Sequence, residues 1–352
     1  MTRNLNVGLL GYGLGGKYFH APFITNVPGF RLYKVRETNP QNIGHLKDTY
    51  GEIQVVADSD EILKDENVQL VVITTPNTYH YELASKALKS GKHVVVDKPF
   101  TITSSEADQL IELAGVHKRV LSVFQNRRWD SDFKTVKKVI DSNMLGDIVE
   151  YEAHFDRFRP NFSGNWREKN IAGSGMLYDL GSHLIDQALY LFGTPDQVFA
   201  DLQVKRQGGE VIDSFEIILE YLRMKVTLKS GILVKERGPH FTIHGTKGSF
   251  VKFGLDVQEA DLIMGKLPKG SKEWGKEPEN LWGKINTQIN GLNFIGNIES
   301  EPGNYTEYYS NVYNAILGIE DLIVTPHEAR NTIRVIELAE QSNKERKWVK
   351  FQ

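Results

Sequence analysis

Three groups of residues have the types and spacing to do chemistry. The first, Gly11-Tyr12-Gly13-Leu14-Gly15-Gly16, is a G-x-G-x-x-G pattern between a strand-like run, Leu5 to Leu10, and a stretch of helical spacing, Lys17 to Val27. Gly11 permits a tight turn, Gly13 lets the backbone approach a pyrophosphate, and Gly16 allows the helix to pack closely on the strand. The free N–H groups at the helix start then bind anionic oxygens, so the ligand this motif predicts is a dinucleotide. The second is Lys98, which follows Val94-Val95-Val96-Asp97 and precedes Pro99. A lysine at the ligand-facing edge of a sheet is partly desolvated and can exchange a proton with a substrate hydroxyl; taken alone, it is as readily a surface lysine snorkelling from a strand end. In the third, Gly173 to Asp186, Asp179 and His183 stand four residues apart on one helix face, with Asp186 extending the stripe. Histidine with aspartate one turn away suits acid/base work better than a metal site, for which the spacing supplies at most two or three ligands and no second cluster. No metal is expected.

Further polar residues fall where a dinucleotide and a substrate would be handled. About 20 residues beyond the glycines, where the adenosine ribose should sit, Arg36 and Glu37 are adjacent. Glu37 would accept hydrogen bonds from a ribose 2′-hydroxyl, as in NAD, whereas Arg36 would welcome the 2′-phosphate of NADP. The sequence leaves both cofactors open. Thr75, Pro76, Asn77 and His80 close the fourth strand and Asp97-Lys98-Pro99 the fifth, at the strand ends where ligands bind in doubly wound sheets. Arg127, Arg157 and Trp166 lie in polar-aromatic segments that suit polyol or anionic substrates, although Arg and Trp are also favoured at interfaces.

Up to residue 124, short β-branched runs near 5–10, 31–37, 53–57, 70–74, 93–97 and 119–124 alternate with helix-length segments: Lys17 to Val27, Pro40 to Tyr50, Tyr79 to Ser90 and Ser104 to His117. That rhythm predicts a doubly wound parallel sheet of the Rossmann type, residues 1–124 forming a dinucleotide-binding domain. Residues 125–352 change rhythm and predict an α+β domain with a large, mainly antiparallel open sheet. Its helices are Asp130 to Asn143, Gly175 to Phe192, 306–323 and 327–343. Its strands are Ile148 to Phe158, 197–206, 212–220, 224–230, 241–245, 249–253 and Arg346 to Phe351. The stretch 265–304, rich in Gly, Pro, Asn, Lys and Glu, reads as a long surface loop or arm.

Composition narrows the choices. With 42 basic and 45 acidic residues in 352, the net charge of −3 offers no basic excess for a nucleic-acid partner. The absence of cysteine excludes a thiol nucleophile and a thiolate zinc site. No run approaches the roughly 18 apolar residues of a membrane helix, and the start carries no signal-peptide pattern, so cytoplasmic residence is expected.

Together, the glycine motif, Thr75-Pro76-Asn77 with His80, Asp97-Lys98-Pro99 and the stretch Gly173, Gly175, Asp179, Gly181, His183, Asp186 resemble the glucose-fructose oxidoreductase / inositol dehydrogenase / MocA-type family over nearly the whole chain. Asn126 to Asp130 and Tyr178 to His183 look most like its branch of NADP-dependent scyllo-inositol dehydrogenases. The family usually places Glu before the Lys-Pro, where Asp97 stands here. The resemblance implies a Rossmann domain, a C-terminal sheet used for dimer or tetramer formation, and Lys98, Asp179 and His183 around a reacting carbon. The expected activity is oxidation of a secondary hydroxyl of a sugar or cyclitol, with NAD or NADP as hydride acceptor. Lys98 or His183 would be the base and Asp179 the orienting group. A redox-assisted glycoside hydrolase with bound NAD and a non-catalytic NAD(P)-binding regulator are the alternatives.

Overall fold

The computed structural model describes residues 4–268 and 270–352 and divides the chain into two compact units. The first contains 1–126, 258–272 and 305–330; the second contains 127–257, 273–304 and 331–352.

In the first unit, β1 (Leu5–Leu10), β2 (Phe30–Arg36), β3 (Gln54–Val56), β4 (Leu70–Ile73), β5 (His93–Asp97) and β6 (Leu121–Phe124) form a sheet of order β3-β2-β1-β4-β5-β6. All five pairings are parallel. Every residue of β4 and of β6 is buried, as a sheet covered on both faces requires. Its helices are α1 (Ala21–Ile24), α2 (Pro40–Tyr50), α3 (Asp60–Leu63), α4 (His80–Lys89) and α5 (Ser104–His117). Thr103 and Glu106 close a reciprocal capping box at the start of α5: the Glu106 N–H donates to Thr103 Oγ1 at 3.2 Å and the Thr103 N–H to Glu106 Oε2 at 3.2 Å. The helix expected over Lys17 to Val27 is instead a π-helical turn, Gly15–His20, followed by the single α-turn of α1, with Pro22 near its start. A proline tolerated at a helix start but not in its interior accounts for that division.

In the second unit, α6 (Ser131–Asp141) and α7 (Ser182–Phe192) accompany a nine-stranded sheet. Its strands are β7 (Ile148–His154), β8 (Gln197–Gln203), β9 (Ser214–Tyr221), β10 (Met224–Gly231), β11 (Phe241–Gly245), β12 (Gly248–Lys252), β13 (Gly283–Ile289), β14 (Leu292–Ile298) and β15 (Val349–Lys350). The order is β14-β13-β12-β11-β7-β10-β9-β8-β15. Only the β7–β10 pairing is parallel. Alternate residues of the central strands, among them Tyr151, Ile217, Leu228 and Ile243, are fully buried. Each such aliphatic side chain contributes roughly 1.5–3 kcal/mol of hydrophobic stabilisation.

One expectation needs correcting. The stretch 265–304, which follows α8 (Gln258–Ile263), is not simply a loop: it contains the β13–β14 hairpin, closed by Asn290-Gly291 with φ of 52° and 80°. Positive φ at both central residues is the signature of the hairpin turn that Asn-Gly favours. The C-terminal segments 258–272 and 305–330 belong to the first unit. There α9 (Thr306–Ile316) stacks Tyr308 against Phe124 at 4.9 Å and Tyr313 against Phe30 at 5.2 Å between ring centroids. A final helix, α10, spans Pro326–Glu345.

Candidate functional site

At the first unit's strand ends, Gly11 adopts φ +104° and its carbonyl accepts a 2.7 Å hydrogen bond from Thr74 Oγ1. A Cβ at Gly16 would lie 2.3 Å from the Gly11 carbonyl oxygen, so this position packs too tightly for a side chain. A Cβ at Gly13 would meet nothing within 4 Å, which leaves open space where a pyrophosphate approaches the turn. Beside it runs a groove of about 580 Å³, lined by Leu10, Arg36, Ser59, Thr75, Pro76, Tyr79 and Lys86 among others. Thr75 Oγ1 is buried without a hydrogen-bond partner. This geometry fits a dinucleotide: an open glycine turn, a cationic side chain and an exposed aromatic face on Tyr79.

Arg36 and Glu37, indistinguishable in the sequence, are used differently. Glu37 Oε1 accepts the N–H groups of Thr38 at 2.7 Å and Asn39 at 2.8 Å, while Oε2 accepts the Asn42 amide at 2.9 Å. Its carboxylate is therefore committed to the start of α2, where Asn39 is the cap. Arg36 lines the groove, steadied by a 3.0 Å bond from Nε to the Ala57 carbonyl.

Asn77 is buried in a short 3₁₀ turn, Asn77–Tyr79. His80 is fully buried, with Nδ1 2.9 Å from the Pro99 carbonyl and Nε2 2.9 Å from the Thr75 carbonyl. Burial holds its ring below the usual histidine range, against the opposing pull of Asp97 and these carbonyls. Neutral, the ring donates to one of these two carbonyls, and it fills the space between the chain after β4 and the chain after β5. Lys98 follows β5, its backbone N–H held by Asp97 Oδ1 at 2.8 Å.

The second unit carries the other candidates. Asp179 lies in a π-helical turn, Leu177–Gly181, that leads into α7, and the adjoining first turn of α7 holds His183. π-helical bulges within helices frequently mark functional sites, and here the wider turn replaces the continuous helix expected over Gly175 to Phe192. His183 is buried and Asp179 half-buried, with Arg167 Nε 3.5 Å from Asp179 Oδ1. Asp186 is committed elsewhere: Arg128 holds it with two bonds, Nε to Oδ2 at 2.8 Å and Nη2 to Oδ1 at 2.7 Å, both side chains buried. A pocket of about 60 Å³ brings Asp179 together with Arg157, Arg159, Asn165, Arg167 and Arg206. It has room for one polar edge of a small molecule. Neither Arg127 nor Trp166 lines it. Arg127 pairs with Asp130 at 3.1 Å and stacks on Phe155, whereas Trp166 carries the Arg167 guanidinium over its ring at 4.7 Å.

Sequence reasoning missed Tyr79, Ser59 and Lys86 on the groove and Asn165 and Arg206 on the pocket. A register argument from the strand ends would have found Tyr79, three residues past Pro76. Among the described residues, no group of three or more His, Cys, Asp or Glu could hold a metal ion, and no helix is long and apolar enough to cross a membrane.

Comparison with known proteins agrees with this geometry. Residues 5–125 match the Gfo/Idh/MocA oxidoreductase family model for the NAD-binding Rossmann fold, and residues 137–351 match its C-terminal alpha/beta domain. The chain is 38% identical to the scyllo-inositol 2-dehydrogenase (NADP(+)) IolW of Bacillus subtilis, over 98% of this chain and 95% of that one. It is 30% identical to a levoglucosan dehydrogenase of Pseudarthrobacter phenanthrenivorans, over 71% of this chain and 73% of that one. The solved structure of yvaA from Bacillus subtilis superposes with a TM-score of 0.96 at 37% identity, covering 100% of this chain and 99% of that one. An oxidoreductase from Bacillus cereus gives 0.91 at 32% identity, with 99% of each chain covered. The chain belongs to the Gfo/Idh/MocA oxidoreductase family and is an NAD(P)-dependent oxidoreductase.

Proposed function

We propose that the protein oxidises a secondary hydroxyl of a sugar or inositol-like cyclitol and prefers NADP to NAD. The observation that carries the substrate class is the pocket around Asp179, walled by Arg157, Asn165 and Arg167: donors beside a carboxylate acceptor, the other two carboxylates of the lining, Glu168 and Asp213, being paired with Arg206, which suits a ring bearing several hydroxyls. The dehydrogenase relatives support the same class. The cofactor preference follows from the division of labour between Glu37 and Arg36. A carboxylate spent on a helix start is no longer offered to a ribose 2′-hydroxyl, while a guanidinium in the groove pairs with a 2′-phosphate.

The nicotinamide supplies the hydride acceptor when bound. Lys98 hydrogen-bonds the reacting hydroxyl oxygen and favours its deprotonation, His183 takes the hydroxyl proton, and Asp179 holds a neighbouring hydroxyl in place. Thr75 and Pro76 line the groove, and Gly11, Gly13 and Gly16 shape the turn that receives the pyrophosphate. Arg157 reaches the substrate from the pocket wall. Arg127 and Trp166 act one step back, through Asp130 with Phe155 and through Arg167. A second copy of the chain is the other partner, docking through the C-terminal sheet in a dimer or tetramer.

The test is absorbance at the reduced-nicotinamide band with NADP and with NAD against a panel of inositols, aldoses and their keto forms. Reduction of NADP by a cyclitol or aldose, faster than that of NAD, is the expected result. Release of an aglycone without net cofactor reduction would instead establish redox-assisted glycoside hydrolysis. Tight cofactor binding with no turnover across the panel would establish a nucleotide-binding regulator.

A further inference from the structure

Two arginines of the Asp179 pocket stand at alternate positions of one extended segment. The backbone N–H of Arg157 donates to the Gly231 carbonyl at 2.9 Å and that of Arg159 to the Ile232 carbonyl at 2.8 Å, while the Val234 N–H donates back to the Arg157 carbonyl at 3.0 Å. Phe158, between them, is bridged to Leu233 and exposed. Side chains two apart on an extended chain share a face, and both arginines line the pocket. The charges of that lining do not cancel. Arg206 is taken up by two carboxylates, its Nη1 donating to Glu168 Oε1 at 2.9 Å and its Nε to Asp213 Oδ2 at 3.0 Å. Local donors fill the rest of both: Ser163 N–H at 2.7 Å, Ser163 Oγ at 2.8 Å and Gly164 N–H at 2.9 Å on Glu168 Oε2, and Lys205 N–H at 2.7 Å on Asp213 Oδ1. The remaining carboxylate is Asp179, with Arg167 Nε at 3.5 Å. Arg157, Arg159 and Arg167 thus share one carboxylate of the lining, and among the described residues Arg159 has none within ion-pair distance.

We propose that the sugar or cyclitol carries an anionic substituent, a carboxylate or a phosphate, which Arg157 and Arg159 bind while Asp179 takes a ring hydroxyl. The proposal rests on the dehydrogenase reading of this pocket and narrows its substrates from polyols at large to acidic ones. Donor and acceptor chemistry makes the choice. A guanidinium has five donors and no acceptor, whereas every hydroxyl of a neutral ring brings a proton that needs an acceptor of its own. One such hydroxyl can use Asp179; the next meets guanidiniums, which accept nothing. A carboxylate or phosphate brings acceptors alone and takes two parallel bonds from a single guanidinium. The small volume of the pocket suits an acidic group better than a whole ring. Arg159 is therefore the specificity-determining residue, since its charge is the one that no carboxylate of the chain offsets.

Binding can be read without turnover, by isothermal titration of the NADPH-loaded enzyme, in which an alcohol finds no hydride acceptor. The probes are matched sets on one ring: D-glucose, D-glucuronate and D-glucose 6-phosphate, and myo-inositol with myo-inositol 1-phosphate. At least one acidic member should bind roughly 10- to 100-fold tighter than its neutral counterpart, the worth of one charge-assisted contact, and added salt should shrink that ratio. Whether the uronate or the phosphates gain tells which anion the pocket takes. Arg159→Ala, a truncation at an exposed position, should remove most of the advantage, and Arg159→Glu should reverse it. Neutral members binding as tightly as acidic ones, an acidic advantage that survives Arg159→Glu, or no binding by any member overturns the proposal. NADP reduction by the same compounds separates this failure from that of the broader reading. Reduction by neutral polyols alone would leave the dehydrogenase reading standing without the proposal, whereas an acidic member that binds tightly, with no reduction by any compound, would sink that reading and leave the anion site in place.

Discussion

Glu37 and Arg36 are neighbours of opposite charge at one strand end, and only their partners separate them. Three donors from Thr38, Asn39 and Asn42 occupy the carboxylate, leaving the guanidinium as the groove's charged recognition group on β2. Arg36→Ser should therefore weaken NADPH binding roughly 10- to 100-fold, the value of one charge-assisted hydrogen-bonded contact, and leave NADH binding nearly unchanged. Nicotinamide fluorescence titrations with both cofactors measure this, and equal losses for the two would contradict it. The sequence showed both residues and their place, but the commitment of Glu37 depends on how α2 begins, and Asn39-Pro40 was the only local sign of that start. The partnership of His20 with Tyr309 had no local sign, because 289 residues separate the two.

Most elements of the first unit were legible because buried parallel strands and amphipathic helices have periods that survive in a single sequence. The helices over Pro40–Tyr50 and Ser104–His117 start and end where capping chemistry predicts. Thr103→Ala should lower stability by about 1 kcal/mol through loss of the capping box, seen as a lower urea midpoint with an unchanged slope. An unchanged midpoint would show that the start of α5 is held by packing alone. The elements that escaped are those whose local pattern is weak. β14 is mostly exposed and breaks polar–apolar alternation at Phe294-Ile295, which leaves little strand pattern to read there. The π-helical turns at Gly15–His20 and Leu177–Gly181 share composition with α-helices and differ only in hydrogen-bond register, which residue spacing does not reveal.

The molecule's two units are interleaved in sequence, and no run of residues announced that 258–272 and 305–330 return to the first. The tyrosines of α9 reveal it only once Phe30 and Phe124 are in place. At the sheet edge, β14 exposes Leu292 (73%), Ile295 (63%) and Phe294 (41%), apolar side chains on a strand with one unpaired side. In the proposed dimer or tetramer, a second copy of the chain would cover this edge. Leu292→Lys with Ile295→Lys should shift sedimentation toward a smaller species without unfolding the chain, and a wild-type sedimentation coefficient would place the subunit contact elsewhere. The proposed oxidation gives Lys98 and His183 each a part in proton transfer. Steady-state NADP reduction by Lys98→Met and by His183→Ala, alongside NADPH titrations, tests it most directly. Each variant should lose about 10²- to 10⁴-fold in kcat, the worth of a positioned acid or base, while binding NADPH like the wild type. Wild-type kcat in either variant would contradict the account.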